Sequence, residues 1–188
     1  MKNTETKNKI KAKVENIVSS ITLDRHIDLE KFASSVTGIE NPSRFPGVIF
    51  RVREPKLAML IFRTGKVICS GARSKKDIDA AVEKLIAKFK EGKIKIKSKP
   101  IVEIQNIVAS ASLGFQVNLD TLATECWNTE YEPEQFPGLV FRLDEPKTVM
   151  LIFRSGKIII TGAKTPGDAN KSAEKTREMI KSYNTIIA

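Results

Sequence analysis

This 188-residue sequence has little of what enzymes usually need. It holds one histidine, His26, which stands beside Asp24 and Arg25 without an obvious chemical partner and reads as a solvated surface group. Its two cysteines, Cys69 and Cys126, lie far apart with no CxxC spacing, so they read as reduced core thiols rather than a disulfide or a metal pair. No carboxylate pair, metal-ligand spacing, nucleophile elbow or phosphate loop stands out. GARSKKD (71–77) has glycine and lysine but not the phosphate-loop pattern. We therefore expect no catalysis, no cofactor and no metal. Long apolar runs are also missing. Ala58–Phe62 and Ile158–Ile160 are typical, far short of the roughly 18 residues of a membrane span. The N-terminus, MKNTETKNK, lacks the apolar stretch of a secretory signal.

What the chain does have is positive charge and repetition. Apolar residues make up 41% and charged residues 29%, the balance of a soluble globular protein. Net charge is +10, which suggests a polyanionic partner or a basic solvated surface. The excess is one-sided: residues 1–99 carry 23 Lys/Arg against 11 Asp/Glu, and residues 100–188 carry 9 against 11.

Residues 45–74, FPGVIFRVREPKLAMLIFRTGKVICSGARS, recur as residues 136–165, FPGLVFRLDEPKTVMLIFRSGKIIITGAKT, with 18 of 30 positions identical. Upstream, VENIVSS (14–20) matches IQNIVAS (104–110), and IDLEKFA (27–33) matches VNLDTLA (117–123). The chain is two copies of one unit, too few for a solenoid and suited to a pseudo-twofold molecule. We divide it into a disordered tail over residues 1–8 and repeats over 9–99 and 100–188.

Each copy predicts the same order. A β-branched run (Val14–Ile21; Ile104–Ser110) precedes a short helix with Leu29, Phe32, Ala33 and Val36 on one side. Three strands follow, joined by tight turns at Glu-Pro-Lys and at Thr/Ser-Gly-Lys, which imply antiparallel hairpins. A long helix closes the unit. In copy one Ser74 and Asp77 read as a capping box, with a stripe of Ile78, Ala81, Val82, Leu85 and Phe89. In copy two Pro166 opens it, with a thinner stripe of Ala169, Ala173, Ile180 and Tyr183. KIKIKSK (93–99) alternates with period two and reads as a joining strand.

Alternation assigns the strand faces. Leu57, Met59 and Ile61 oppose Ala58, Leu60 and Phe62; Val67 and Cys69 oppose Ile68 and Ser70; Val48, Phe50 and Val52 oppose Ile49, Arg51 and Arg53. Both faces are apolar at the centre, whereas a sheet with one wet face alternates apolar and polar. Helices of each copy can cover one face. The other is open to three explanations: a sandwich with its twin, a homodimer interface, or a binding surface for an anionic, partly apolar partner. Arg51 and Arg142 favour the third, because a dry core would have to desolvate them. Asn16 and Asn106 stand mid-strand, where Asn is depleted. Each is either a satisfied structural amide or a donor to the minor-groove acceptors of A·T pairs. Phe45 and Phe136 precede Pro-Gly at loop tips, where a core role is hard to defend.

FPGLVFR…EPK…LIFRSGK…TGAK, the upstream QNIVAS and the duplication together resemble the TATA-box binding protein family in its archaeal form, over about residues 10–185. The resemblance implies an α+β fold: two pseudo-symmetric repeats forming one saddle-shaped, curved antiparallel β-sheet with helices on the convex face. It implies a general transcription initiation factor that binds TA-rich promoter DNA in the minor groove and kinks it. Phe45, Phe62, Phe136 and Phe153 would be the wedges. Asn16, Asn106, Val18, Val108, Leu60, Leu151, Ile68, Ile159, Ser70 and Thr161 would meet base edges and form the floor. Arg51, Arg142, Lys66, Lys157, Arg73 and Lys164 would meet phosphates. Glu132 and Glu134, in a loop whose counterpart NPSRFPG has no acid, would contact transcription factor B, and with it the RNA polymerase pre-initiation complex. The apolar face leaves room for a homodimer when free of DNA, the short apolar runs predict no membrane association, and the resemblance implies a cytoplasmic, nucleoid-associated location (nuclear in a eukaryote). Ser70 replaces the family's commoner Thr, Gln135 stands where an apolar residue is frequent, and where many relatives are less basic and end in acidic residues this sequence is at +10 and ends KSYNTIIA. Two alternative functions stay open: a nucleic-acid-binding accessory domain of the same fold, and a protein-interaction homodimer using the apolar sheet face.

Overall fold

The computed structural model describes residues 9–187; the tail expected over 1–8 lies outside the described residues. The chain divides into two compact units, residues 16–106 and residues 9–15 with 107–187, with both boundaries inside strands that run from one unit into the other.

The first unit is built from β1 (Lys13–Thr22), α1 (Leu29–Ser35), β2 (Ile39–Glu40), β3 (Gly47–Val52), β4 (Leu57–Phe62), β5 (Lys66–Ala72) and α2 (Lys75–Glu91). Its strands bond in the order β2-β3-β4-β5-β1, all antiparallel. The predicted alternation is realised. Leu57, Met59, Ile61, Val67 and Cys69 are buried, while Ala58, Leu60, Phe62, Ile68 and Ser70 are half-exposed. Helices supply the cover. Asp28 caps α1 by accepting from the Lys31 N–H, and α1 buries Leu29 and Phe32. The Ser74–Asp77 capping box opens α2, which buries Ile78, Ala81, Leu85 and Phe89. Phe32 and Phe89 meet with ring centroids 4.8 Å apart.

Residues 93–99 do not form the expected strand. Their backbone donors have other partners: the Ile94 N–H donates to the Phe89 carbonyl, and the Lys97 and Ser98 N–H groups donate to the Asp24 carboxylate at 3.0 and 2.7 Å. The period-two pattern predicts a strand here, but no ladder forms on it, and Lys93 opens the segment at φ +57°.

The second unit contains β6 (Ile101–Ser112), β7 (Gln116–Val117), α3 (Leu119–Glu125), β8 (Thr129–Glu130), β9 (Leu139–Leu143), β10 (Thr148–Ile152), β11 (Lys157–Ala163), α4 (Pro166–Ser182) and β12 (Ile186–Ile187). The sheet order is β6-β11-β10-β9-β8, again antiparallel, and β12 pairs separately with β7. Asn118 caps α3, and Thr165 and Asp168 form the capping box of α4. The α4 stripe was expected to be thin because two of its members are polar: Ser172 and Thr176 are buried beside Ala169, Ala173 and Ile180. Ser172 reaches the Thr148 hydroxyl at 2.8 Å and donates to the Asp168 carbonyl. Tyr183 lies at the C-cap, half-buried, rather than in the stripe. Residues 10 and 12 lean on this helix: the Ile10 N–H donates to Glu174 Oε1 and the Ala12 N–H to Asn170 Oδ1. Both cysteines are buried free thiols. Among the described residues no helix is long and apolar enough to cross a membrane.

Candidate nucleic-acid interface

The open face of the first unit is ordered by strand register. Directly paired residues on antiparallel strands share a face. One row is Ile49, Leu60 and Ile68; the next is Arg51, Ala58 and Ser70. The same rows in the second unit are Val140, Leu151 and Ile159, then Arg142, Val149 and Thr161. Val18 and Val108 stand half-buried on β1 and β6. The apolar floor residues named from sequence therefore fall on one face of each unit. Ile49, Ala58 and Val140 stand there too, as the alternation predicts, and Val149, which alternation alone would have placed, joins them.

At one end of each face two phenyl rings meet. Phe45 and Phe62 have centroids 5.7 Å apart, and Phe136 and Phe153 6.0 Å. Gly47 pairs with Phe62 across the ladder. A Cβ at Gly47 would lie 2.7 Å from the Ile61 carbonyl and 3.0 Å from the Phe45 ring, and one at Gly138 would lie 2.7 Å from the Phe136 ring. The glycine of Phe-Pro-Gly is thus the floor on which the pair rests. Phe136 remains 41% exposed.

Asn16 is explained by a bulge. The β1–β5 register jumps from Ile17↔Ala72 to Ser19↔Cys69, so Ser70 and Gly71 oppose Val18 alone. Gly71 sits at φ +106°, and a Cβ there would lie 2.5 Å from the Lys56 carbonyl. Its N–H donates to Asn16 Oδ1 at 2.8 Å. That bond fixes the amide: the oxygen accepts from Gly71, and the NH₂ donates one N–H to the Ser70 hydroxyl at 3.4 Å and keeps its second N–H to donate. In the second unit the β6–β11 register jumps at the same place, and Gly162 has φ +94°. Asn106 and Thr161 hold the positions of Asn16 and Ser70. A glycine inside a strand pattern was the available signal for both bulges.

Arg51 and Arg142 lie on this face, exposed, and each is paired. Arg51 Nε is 2.9 Å from Glu40 Oε1, and Arg142 Nη2 is 3.1 Å from Glu130 Oε1. These carboxylates, on β2 and β8, were not anticipated. Exposed pairs contribute about 0–1 kcal/mol, so a phosphate can displace them. Lys66 and Lys157 begin β5 and β11, and Arg73 and Lys164 follow those strands; all four are exposed. Arg63 and Arg154 use their carbonyls to accept from the Ile27 and Val117 N–H groups, and their side chains are exposed. Glu132 and Glu134 are exposed in the loop between β8 and β9, off the sheet, where the Glu132 carbonyl accepts from the Gln135 and Phe136 N–H groups. Trp127, 88% exposed, lies between α3 and β8 and was not singled out from sequence. Among the described residues no group of three or more His, Cys, Asp or Glu could hold a metal. Burial pushes the Cys69 thiol up to about 11, so it is protonated at neutral pH.

The family described as "Transcription factor TFIID (or TATA-binding protein, TBP)" matches the chain twice, over residues 11–92 and 101–183. A TATA-box-binding protein of Archaeoglobus fulgidus is 46% identical over 179 residues, covering 94% of this chain and 98% of that protein. One from Methanocaldococcus jannaschii is 48% identical over 175 residues, covering 93% and 96%. The solved structure of Methanococcus jannaschii TBP superposes with a TM-score of 0.85 at 47% identity, covering 92% of this chain and 99% of that one. With a double family match in step with its internal repeat, and relatives alike over nearly their whole length, the chain belongs to the TATA-binding protein family.

Proposed function

We propose that this chain is a general transcription initiation factor. Residues 9–99 and 100–188 act as its two repeats, and their open faces bind the minor groove of TA-rich promoter DNA. The observation that carries this reading is the pairing of an apolar face with an outward amide donor and a phenyl pair at its edge. A·T pairs offer only acceptors in the minor groove, N3 and O2, which suits the Asn16 NH₂. Apolar wedges between base steps are the established means by which minor-groove architectural proteins, this family among them, kink a duplex. The ring pairs Phe45–Phe62 and Phe136–Phe153 at the edge of each face support that role, and flexible TA steps lower its cost. Arginines and lysines at the face and its borders meet phosphates, which position the protein without reading sequence. The role is binding, not catalysis, at the chromosome in an archaeal cytoplasm. The acidic loop at Glu132 and Glu134 recruits transcription factor B, and through it RNA polymerase.

Energy transfer across a short labelled duplex tests the core of this. A TA-rich duplex is bound and bent; a G·C-rich one is not; and Phe45→Ala/Phe136→Ala abolishes the bend. Weak binding that ignores sequence and fades with salt, or a dimer that ignores DNA, would overturn it. Glu132→Arg/Glu134→Arg leaves the bent binary complex intact and loses the complex with transcription factor B; retention of both would remove the loop from the proposal.

A further inference from the structure

The two open faces differ in depth at one row. In the first unit the register aligns Arg51, Ala58 and Ser70; in the second it aligns Arg142, Val149 and Thr161. Both rows end on an arginine held by a carboxylate, and both abut a bulge with a glycine at positive φ. The neighbouring rows, Ile49-Leu60-Ile68 and Val140-Leu151-Ile159, are nearly equal in size. Only here does the first unit lose bulk: Ala for Val removes two carbons and Ser for Thr removes one. All four residues are half-exposed, so the missing carbons leave a notch in the surface rather than a hole in the core.

The minor groove presents one group that distinguishes G·C from A·T, the guanine N2 amino group, which projects into the groove and donates. A notch left by three missing carbons, bordered by the Ser70 hydroxyl oxygen, offers that group room and, on the oxygen's second lone pair, an acceptor beside the one the Asn16 NH₂ uses. The second unit fills the same place with methyls, and the β-branched Thr161 is stiffer at χ1 than Ser70.

We propose that Ala58 and Ser70 make the first repeat tolerant of a minor-groove amino group, while Val149 and Thr161 make the second repeat exclude it. The chain then reads the two halves of its DNA element with unequal stringency. This inference rests on the minor-groove reading above.

An inverted-repeat TA-rich duplex tests it without knowing the bound orientation. 2,6-Diaminopurine in place of adenine adds the amino group and still pairs with thymine. It is scanned along one half, then placed at matching steps in both halves, and each affinity is divided by that of the unsubstituted duplex for the same protein. At one step the wild-type chain loses no more than about twofold from substitution in one half, the factor for losing one of two equivalent orientations. Substitution in both halves costs about tenfold or more, in the range of an unfavourable base pair. Ala58→Val/Ser70→Thr suffers the large loss from one half alone. Val149→Ala/Thr161→Ser tolerates both. Each exchange installs the residues that the other repeat already carries on the same bulged backbone, and a normal unfolding transition verifies the fold. Equal losses for the first and second substitution at every step, or exchanged variants with the wild-type profile, would overturn the proposal. Failure to bind and bend even the unsubstituted duplex would instead sink the minor-groove reading, and this inference with it.

Discussion

At the scale of single residues the most consequential contact is the Gly71 N–H to Asn16 Oδ1 bond. It converts an amide with two possible orientations into a directed donor. Asn16→Asp keeps an acceptor for Gly71 but replaces the outward NH₂ with carboxylate oxygen. Affinity for a TA-rich duplex, read by fluorescence anisotropy, should fall about tenfold or more, while the urea midpoint moves little. A variant that binds normally would show that the amide does not face DNA. The glycine itself should be intolerant. Gly71→Ala forces a Cβ to 2.5 Å from the Lys56 carbonyl at φ +106°, and we expect a loss of at least about 2 kcal/mol in urea unfolding. Gly162→Ala meets its nearest atom at 3.2 Å and should cost less; the reverse order would refute this account of the bulges.

At the scale of elements, the helices depend on their first turns. Ser74 and Thr165 each accept from the N–H three residues on and are answered by Asp77 and Asp168. Either residue changed to Ala should cost about 0.5–2 kcal/mol in urea unfolding. The segment after α2 depends on Asp24. Desolvation by neighbouring atoms pushes the Asp24 pKa up, but the N–H groups of Ser98 and Lys97 outweigh it and hold it below the ordinary carboxylate range. A carboxylate with a lowered folded pKa stabilises the fold above its ordinary pKa, about 3.9. That contribution is lost as pH falls through the lower, folded value. The Lys97 and Ser98 amide signals should therefore titrate with a midpoint below about 3.9, and Asp24→Asn should abolish that titration. Amide signals that titrate above it, or survive Asp24→Asn unchanged, would rule out the clamp.

At the scale of the whole molecule, electrostatics decides how strongly DNA binding depends on salt. Each phosphate neutralised lowers the log–log slope by about 0.9, so six basic contacts would give about −5. Arg51 and Arg142, however, enter binding already paired with Glu40 and Glu130. A displaced carboxylate regains a counterion, so those two contacts release fewer ions, and a slope nearer −4 is expected. Glu40→Gln/Glu130→Gln should steepen the slope by about 1, back toward the six-contact value, and tighten binding at low salt. An unchanged slope would mean that these arginines do not reach phosphate. The positive excess of residues 1–99 adds an attraction that ignores sequence and weakens with salt.

What the sequence determined by itself was everything governed by short period. Alternation at 57–62 assigned both strand faces, the Ser74–Asp77 spacing assigned a helix start, and the duplicated Phe-Pro-Gly marked the wedge candidates, because these are properties of a few consecutive residues. The tertiary structure decided what depends on which strands adjoin. Asn16 meets Gly71 across 55 positions, Arg51 meets Glu40 across 11, and the alternating stretch 93–99 forms no strand because a side chain and a helix end take its donors. The α4 stripe was half hidden for a related reason: Ser172 is buried against Thr148, 24 residues away, whose hydroxyl and the Asp168 carbonyl satisfy its own. The notch at Ala58 and Ser70 needed both sources. The repeat aligned Ala with Val and Ser with Thr, but only the register showed that the two differences stand side by side. Pattern records the preference of each residue for a face; register, set by the turns and by the one-residue bulge, decides which neighbours share it.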